Sequence, residues 1–258
     1  MSSNEPTQIN IAYPEASDKH LKIGVGACRL KVQPGDGAPW VSGTYYDAGS
    51  NLPLKIEQQG GLARIGQDYR VFNPIAWFSN EPKIDLALGK AQPYQLTIEV
   101  GAAESKFDLG GLPINRLAIK QGAGKADFDF SALNPQPMSL LKVEAGAMAL
   151  EMKNLANANF AEMSVDGGAA GYKFDFGGTL QRDAHVKITA GMSGVDVIVP
   201  ATTAAKIVCE TVMGGLNVGD GFTKKDGAFW TEAAMKGQTP VLTIEASVSL
   251  GGLTIKTK

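Results

Sequence analysis

The chain has 258 residues, with 24 Lys and Arg against 26 Asp and Glu, which leaves a formal charge of 24 − 26 = −2. That balance argues against a nucleic-acid binder, which concentrates basic residues on one face. Two cysteines and two histidines leave no disulfide framework and no paired-cysteine zinc motif. Glycine is in excess, 31 residues or about 12% against roughly 7% in ordinary chains, so the backbone needs many tight bends.

In chain order, the first twenty residues, MSSNEPTQINIAYPEASDKH, contain neither a basic n-region nor an apolar h-region. Residues 1–18 are expected to be disordered or loosely attached. No apolar run is long enough to span a membrane as a helix. The absence of a signal peptide points to the cytoplasm, unless an upstream segment has been removed, and otherwise leaves the compartment open.

A frame begins at residues 21–32 (LKIGVGACRLKV) and returns at 96–109, 117–130, 141–152, 163–176, 186–199 and 207–218, with an outlying copy at 242–253. The frame positions are Gly26, Gly101, Gly122, Gly146, Gly168, Gly191, and then Val212 and Ser247, where glycine is lost. From Gly101 to Val212 the steps are 21, 24, 22, 23 and 21 residues. Five and three residues before each frame position lie apolar residues such as Leu96 and Ile98 or Leu117 and Ile119, with polar residues between them. Six residues after it lie Phe107, Phe128, Met152, Phe174, Val197 and Val218. This alternation is that of half-buried strands on both sides of a small-residue bend.

Two short strands cannot bury their own apolar face, so the units must stack. The pattern predicts an all-β solenoid of about seven or eight stacked two-strand units, with equivalent strands about 4.8 Å apart. A propeller is the alternative, since two units approach the length of a blade. It ranks lower, because propeller repeats should distinguish alternate units.

Residues 34–93 break the period and carry shorter strands at 40–46, 54–59 and 63–67 between turn signals. They predict an antiparallel insertion within an N-terminal β subdomain over 19–93. The repeat solenoid then occupies 94–258. Its irregular segment at 219–240 is expected to form a hairpin or cap over one end, where a pairing edge would otherwise be exposed.

The segments LKIGVGACRLKV and PLKIEQQGG, Trp77, and the run LTIEVGAAESKFDLGGLPINRLAIKQGAGKADFDF together resemble the toast-rack β-domain family. That family includes the soluble C-terminal domains of LiaF-type envelope-stress regulators and related adhesin-like proteins. The resemblance implies a stacked β-rack and, in some members, regulation of a membrane-bound sensor kinase. The partner it implies is a membrane sensor or another envelope protein.

Little in the chain points to catalysis. His20 and His185 each lie six residues before a frame glycine, in units far apart along the stack. Cys28 and Cys209 fall in core columns, where free cysteine acts as a small hydrophobe. GAGK at 122–125 lacks the spacing of a phosphate loop, and GVGACR at 24–29 lacks the third glycine of a dinucleotide fingerprint. Asp108, Asp129 and Asp175 share one outward column with Lys153, and Lys106, Asp127, Glu151 and Lys173 share the next. Mixed signs of this kind suit a solvated sheet face, whereas a glycosidase needs two carboxylates at a set separation.

No catalytic, cofactor or metal site is expected. The candidate interaction surface is Trp40, Trp77 and Trp230, which lie in the irregular regions. The expected function is a non-catalytic interaction or scaffold protein, with envelope-stress regulation as the finer reading. The alternatives are a polysaccharide-binding or polysaccharide-cleaving β-helical protein, and a solenoid that self-assembles into homo-oligomers through its ends.

Overall fold

The computed structural model describes residues 5–47, 52–67 and 82–258. Its strands are β1 (Thr7–Ile11), β2 (His20–Val25), β3 (Arg29–Pro34), β4 (Val41–Tyr46), β5 (Leu54–Gln59), β6 (Leu62–Gln67), β7 (Lys83–Leu88), β8 (Tyr94–Asp108) and β9 (Ile114–Asp129). There follow β10 (Met138–Lys153), β11 (Phe160–Gly167), β12 (Gly171–Asp175), β13 (Ala184–Val199), β14 (Ala204–Val218), β15 (Phe222–Lys225), β16 (Ala228–Thr231) and β17 (Val241–Thr257). A 3-10 turn at Leu155–Ala158 and one short helix, α1 (Glu232–Met235), complete the described elements.

The protein is a β-solenoid. Each long strand runs through a bend, so that it contributes to two arms around one core. On the first arm the order is β5, β6, β2, β8, β9, β10, β11, β13, β17, β14, β16, β15. On the second it is β1, β4, β7, β3, β8, β9, β10, β12, β13, β17, β14. The coils pair in parallel and the antiparallel strands lie only at the ends, which excludes a propeller.

The register follows the sequence frame. Leu96, Leu117, Leu141, Met163 and Val186 align in one column, and Phe107, Phe128, Met152, Phe174 and Val197 in another. All are buried. Phe107 and Phe128 stack with centroids 4.2 Å apart. The parallel spacing explains the glycine column at the bend: a Cβ on Gly101 would lie 2.6 Å from the Gly26 carbonyl oxygen of the adjoining coil.

Four features differ from the sequence expectation. First, the antiparallel region hides another coil. Strands β6 and β7 lie parallel to β2 and β3, placing Ala63 beside Leu21, Ile65 beside Ile23, Ile84 beside Leu30 and Leu86 beside Val32. Residues 68–81 separate the two halves in sequence, and that insertion conceals the period. With it, nine coils stack among the described residues: β6/β7, β2/β3, β8, β9, β10, β11/β12, β13, β17 and β14.

Second, residues 7–11 are not loosely attached. They form β1, antiparallel to β4, with Ile9 and Ile11 buried. Third, the last two frames are exchanged in space: β17 lies between β13 and β14, so β14 is the terminal coil. Fourth, β17 pairs with Ile244 beside Val186 and Ile207, which puts the frame position at Ser249 rather than Ser247. A slip of two residues preserves the inward face, so alternation alone does not reveal it.

Candidate functional site

The outward carboxylates stand in the columns the sequence predicts. Lys106, Asp127, Glu151 and Lys173 are adjacent in register, as are Asp108, Asp129 and Lys153. Their contacts are structural. Glu151 accepts from Lys173 at 2.8 Å and lies 3.4 Å from Lys153. The Lys173 hydrogen bond, with both lysine charges, holds the Glu151 carboxyl below the usual range. That is the wrong direction for a glycosidase acid, which must keep its proton near neutral pH. Asp108 accepts from the Gly110 amide at 2.9 Å and from Ser131 at 2.7 Å. Asp175 likewise accepts from the Gly177 amide at 2.8 Å and from Lys258 at 2.7 Å. These aspartates brace the turns that leave the second arm.

His20 and His185 sit in β2 and β13, five strand spacings apart, or about 24 Å at 4.8 Å per strand. His20 contacts Thr97 at 2.8 Å and His185 lies 3.6 Å from Glu245, so each imidazole is engaged locally. Cys28 is buried and Cys209 half-buried, and neither is in a disulfide. Burial pushes the Cys209 thiol up to about 11, away from the thiolate a nucleophile requires. Among the described residues no group of three or more His, Cys, Asp or Glu is placed to hold a metal ion.

The three tryptophans do not form one surface. Trp40 is fully buried, stacked on Tyr13 at 5.9 Å and edge-on to Tyr94 at 5.7 Å, so it fills the core at the N-terminal end instead of presenting a docking face. Trp77 lies outside the described residues. Trp230 is half-buried on the β15/β16 hairpin, with the Lys206 ammonium 5.3 Å from its ring and its indole N–H donating to the Lys225 carbonyl at 3.1 Å.

The hairpin covers only part of the terminal coil. β16 pairs with β14 at Lys206 and Ile207, and among the described residues no strand pairs with the outer edge of Cys209–Val218. The core therefore opens to solvent here. Leu253 is 0% exposed in β17, whereas its neighbour Leu216 in β14 is 40% exposed. Cys209, Thr211 and Val218 are likewise half-exposed continuations of buried columns.

The bend sharpens this contrast. The residue after the frame position is Ala102, Ala123, Ala147 and Ala169 in the middle coils, then Met192, Leu250 and Met213 in the last three. Met192 and Met213 flank Leu250 in register, with exposures of 62%, 67% and 39%. Val212 beside them is 69% exposed. This apolar ridge, running to an unpaired sheet edge, is the candidate site. The change from alanine to methionine and leucine is a sequence signal, but placing the last frame at Ser247 displaces Leu250 from its column.

A stacked β-rack with one closed end and one open, apolar end defines a class of architecture rather than a chemistry. The N-terminal domain of toast_rack, DUF2154, matches residues 1–136, more than half of the sequence. The chain belongs to the toast-rack family. No curated protein matches it. Among solved structures, a candidate cell adhesion protein from Clostridium sporogenes shares the fold, with a TM-score of 0.53 and 17% identity over 98% of this chain and 100% of that one. Further structures include a candidate lipid-binding protein from Parabacteroides distasonis, with a TM-score of 0.39 and 15% identity over 99% of this chain and 98% of that one. A candidate adhesin from Bacteroides fragilis has a TM-score of 0.38 and 11% identity over 98% of each chain. No described helix is long and apolar enough to cross a membrane.

Proposed function

We propose that this protein is a non-catalytic interaction or scaffold module of the bacterial envelope, whose working surface is the open end of the rack. The observation that carries this reading is the exposed ridge of Met192, Leu250 and Met213 beside Val212 and the unpaired edge of β14. Solenoids generally finish on a polar capping repeat, and contiguous exposed apolar residues rimmed by polar ones mark interaction sites. Membership of the toast-rack family supports an envelope role. The partner class this favours is a membrane sensor or another envelope protein, and regulation of envelope stress is the finer form of the reading.

The test is crosslinked capture from the native cells by tagged wild type and by Val212→Lys, with purified peptidoglycan and polysaccharide panels alongside. Recovery of an envelope protein by the wild type, lost in the variant, supports the proposal. Specific retention on one glycan, unaffected by Val212→Lys and lost in Trp230→Ala, overturns it in favour of a carbohydrate-binding rack.

A further inference from the structure

The unpaired edge has properties that select its occupant. Edge strands are usually protected by lysine, proline, a bulge or shortness. The segment Cys209–Val218 has ten residues, neither lysine nor proline, and a single charge at Glu210. We propose that a second copy of this chain docks here, its β14 antiparallel to the first about a two-fold axis between Met213 and Gly214. This rests on the reading that the open end is the working surface, and makes the second copy the occupant that an envelope partner would have to displace.

Side-chain parity leads to that arrangement. Before the bend the inward residues are Ile207, Cys209 and Thr211, in register with the buried Ile244, Ala246 and Val248. After it they are Leu216 and Val218, in register with the buried Leu253 and Ile255. The bend thus shifts the inward set from odd to even numbers. Directly opposed residues of an antiparallel pair point to the same face, so inward meets inward only where the two residue numbers sum to an odd number. A two-fold between Met213 and Gly214 satisfies this, setting Cys209 opposite Val218 and Thr211 opposite Leu216 of the other copy. The first arm of each copy then continues the second arm of its mate, and both open cores close on one another.

The same axis places Glu210 opposite Asn217, so no like charges meet. It also brings the two Met213 side chains to the centre of the interface, with Leu250 and Met192 of each copy one and two strands behind.

Other self-associations fit less well. A two-fold parallel to the strands would turn one core face toward solvent. Head-to-tail stacking would need a continuous bent edge at the other end. There the outer strands are the separate β1 and β5, five and six residues long, and β5 carries Lys55 and Glu57. A closed pair is what a self-complementary edge forms.

The experiment measures mass in solution by light scattering and sedimentation, from micromolar to tenth-millimolar protein. The expected result is twice 27.1 kDa for the wild type. Val212→Lys and Leu216→Lys should fall to the monomer mass with unchanged circular dichroism, since both positions are already exposed, and should lose the rise of melting temperature with concentration that the dimeric wild type shows. Register is read by Val218→Cys, because opposed Cα atoms in such a pair lie roughly 4.5–5.5 Å apart, within disulfide reach. Mild oxidation should link the introduced thiol to Cys209 of the other copy, while the wild type stays unlinked.

A monomeric wild type overturns the proposal. So does a dimer that survives both lysine substitutions, or one that Val218→Cys fails to link. If the wild type is monomeric but Val212→Lys still abolishes capture of an envelope protein, the dimer falls and the interaction reading stands. Loss of neither mass nor capture in the variants removes both.

Discussion

The two ends of the rack face the same physical problem and meet it differently. A stack of parallel coils must terminate in an edge with unpaired amides and an exposed slice of core. At the N-terminal end, β6/β7 is flanked by the antiparallel strands β5 and β4, and β1 is added beyond β4. Trp40, Tyr13 and Tyr94 pack together there, and the Tyr45 hydroxyl donates to the Leu52 carbonyl. At the other end, the β15/β16 hairpin pairs with Lys206 and Ile207 of β14, and among the described residues no strand pairs with the outer edge of Cys209–Val218. That asymmetry marks where binding should be sought.

The largest effect that would break this comparison is expected at the closed end. Trp40→Ala should cost about 3–5 kcal/mol in chemical denaturation, as for other fully buried aromatics. A loss under about 1 kcal/mol would mean that this end is not a packed cap. Next comes a matched pair one coil apart. Leu253→Ala should cost about 2–5 kcal/mol, and Leu216→Ala, in the adjoining position of the open coil, less than about 1 kcal/mol at concentrations where the chain is monomeric. Equal losses would show that the last coil is covered in solution.

Smaller still is the surface ladder. Lys173→Ala removes the 2.8 Å contact with Glu151 on an exposed face and should cost about 0.2–1 kcal/mol, less at high salt. The smallest effect belongs to His20, whose imidazole is held below its ordinary value by burial first, and then by the charges of Lys22 and Arg64. The unfolded chain therefore takes up this proton at higher pH than the folded one. The associated stability is present above the unfolded value and declines as pH falls through it toward the folded value. His20→Gln should remove that part of the acid sensitivity in melts between neutral and mildly acidic pH.

Legibility varied with the kind of information each segment carried. The inward columns and the outward charge columns were readable because parallel stacking copies the same register into every coil. The hidden coil β6/β7 was not, because residues 68–82 lie between its two strands in the sequence, with no frame glycine among them at the expected position. The order of β17 and β14 was also invisible, since both sequences satisfy the same alternation and either could stack on β13. Trp40 illustrates a different limit: an aromatic in an irregular segment carries no periodic signal to say whether it faces core or solvent. The alanine-to-methionine change along the bend was present in the sequence, but one member was hidden by the two-residue slip in the final frame.

The sequence by itself determined the toast-rack class, the alternation and most of the register, since these depend on local bends and period-two burial repeated at a regular step. Only the tertiary structure decided which coil is last, which end is sealed, and which residues the final coil leaves bare. Those outcomes depend on pairings between strands distant in the chain, and alternation specifies which face is apolar without specifying which neighbour will cover it.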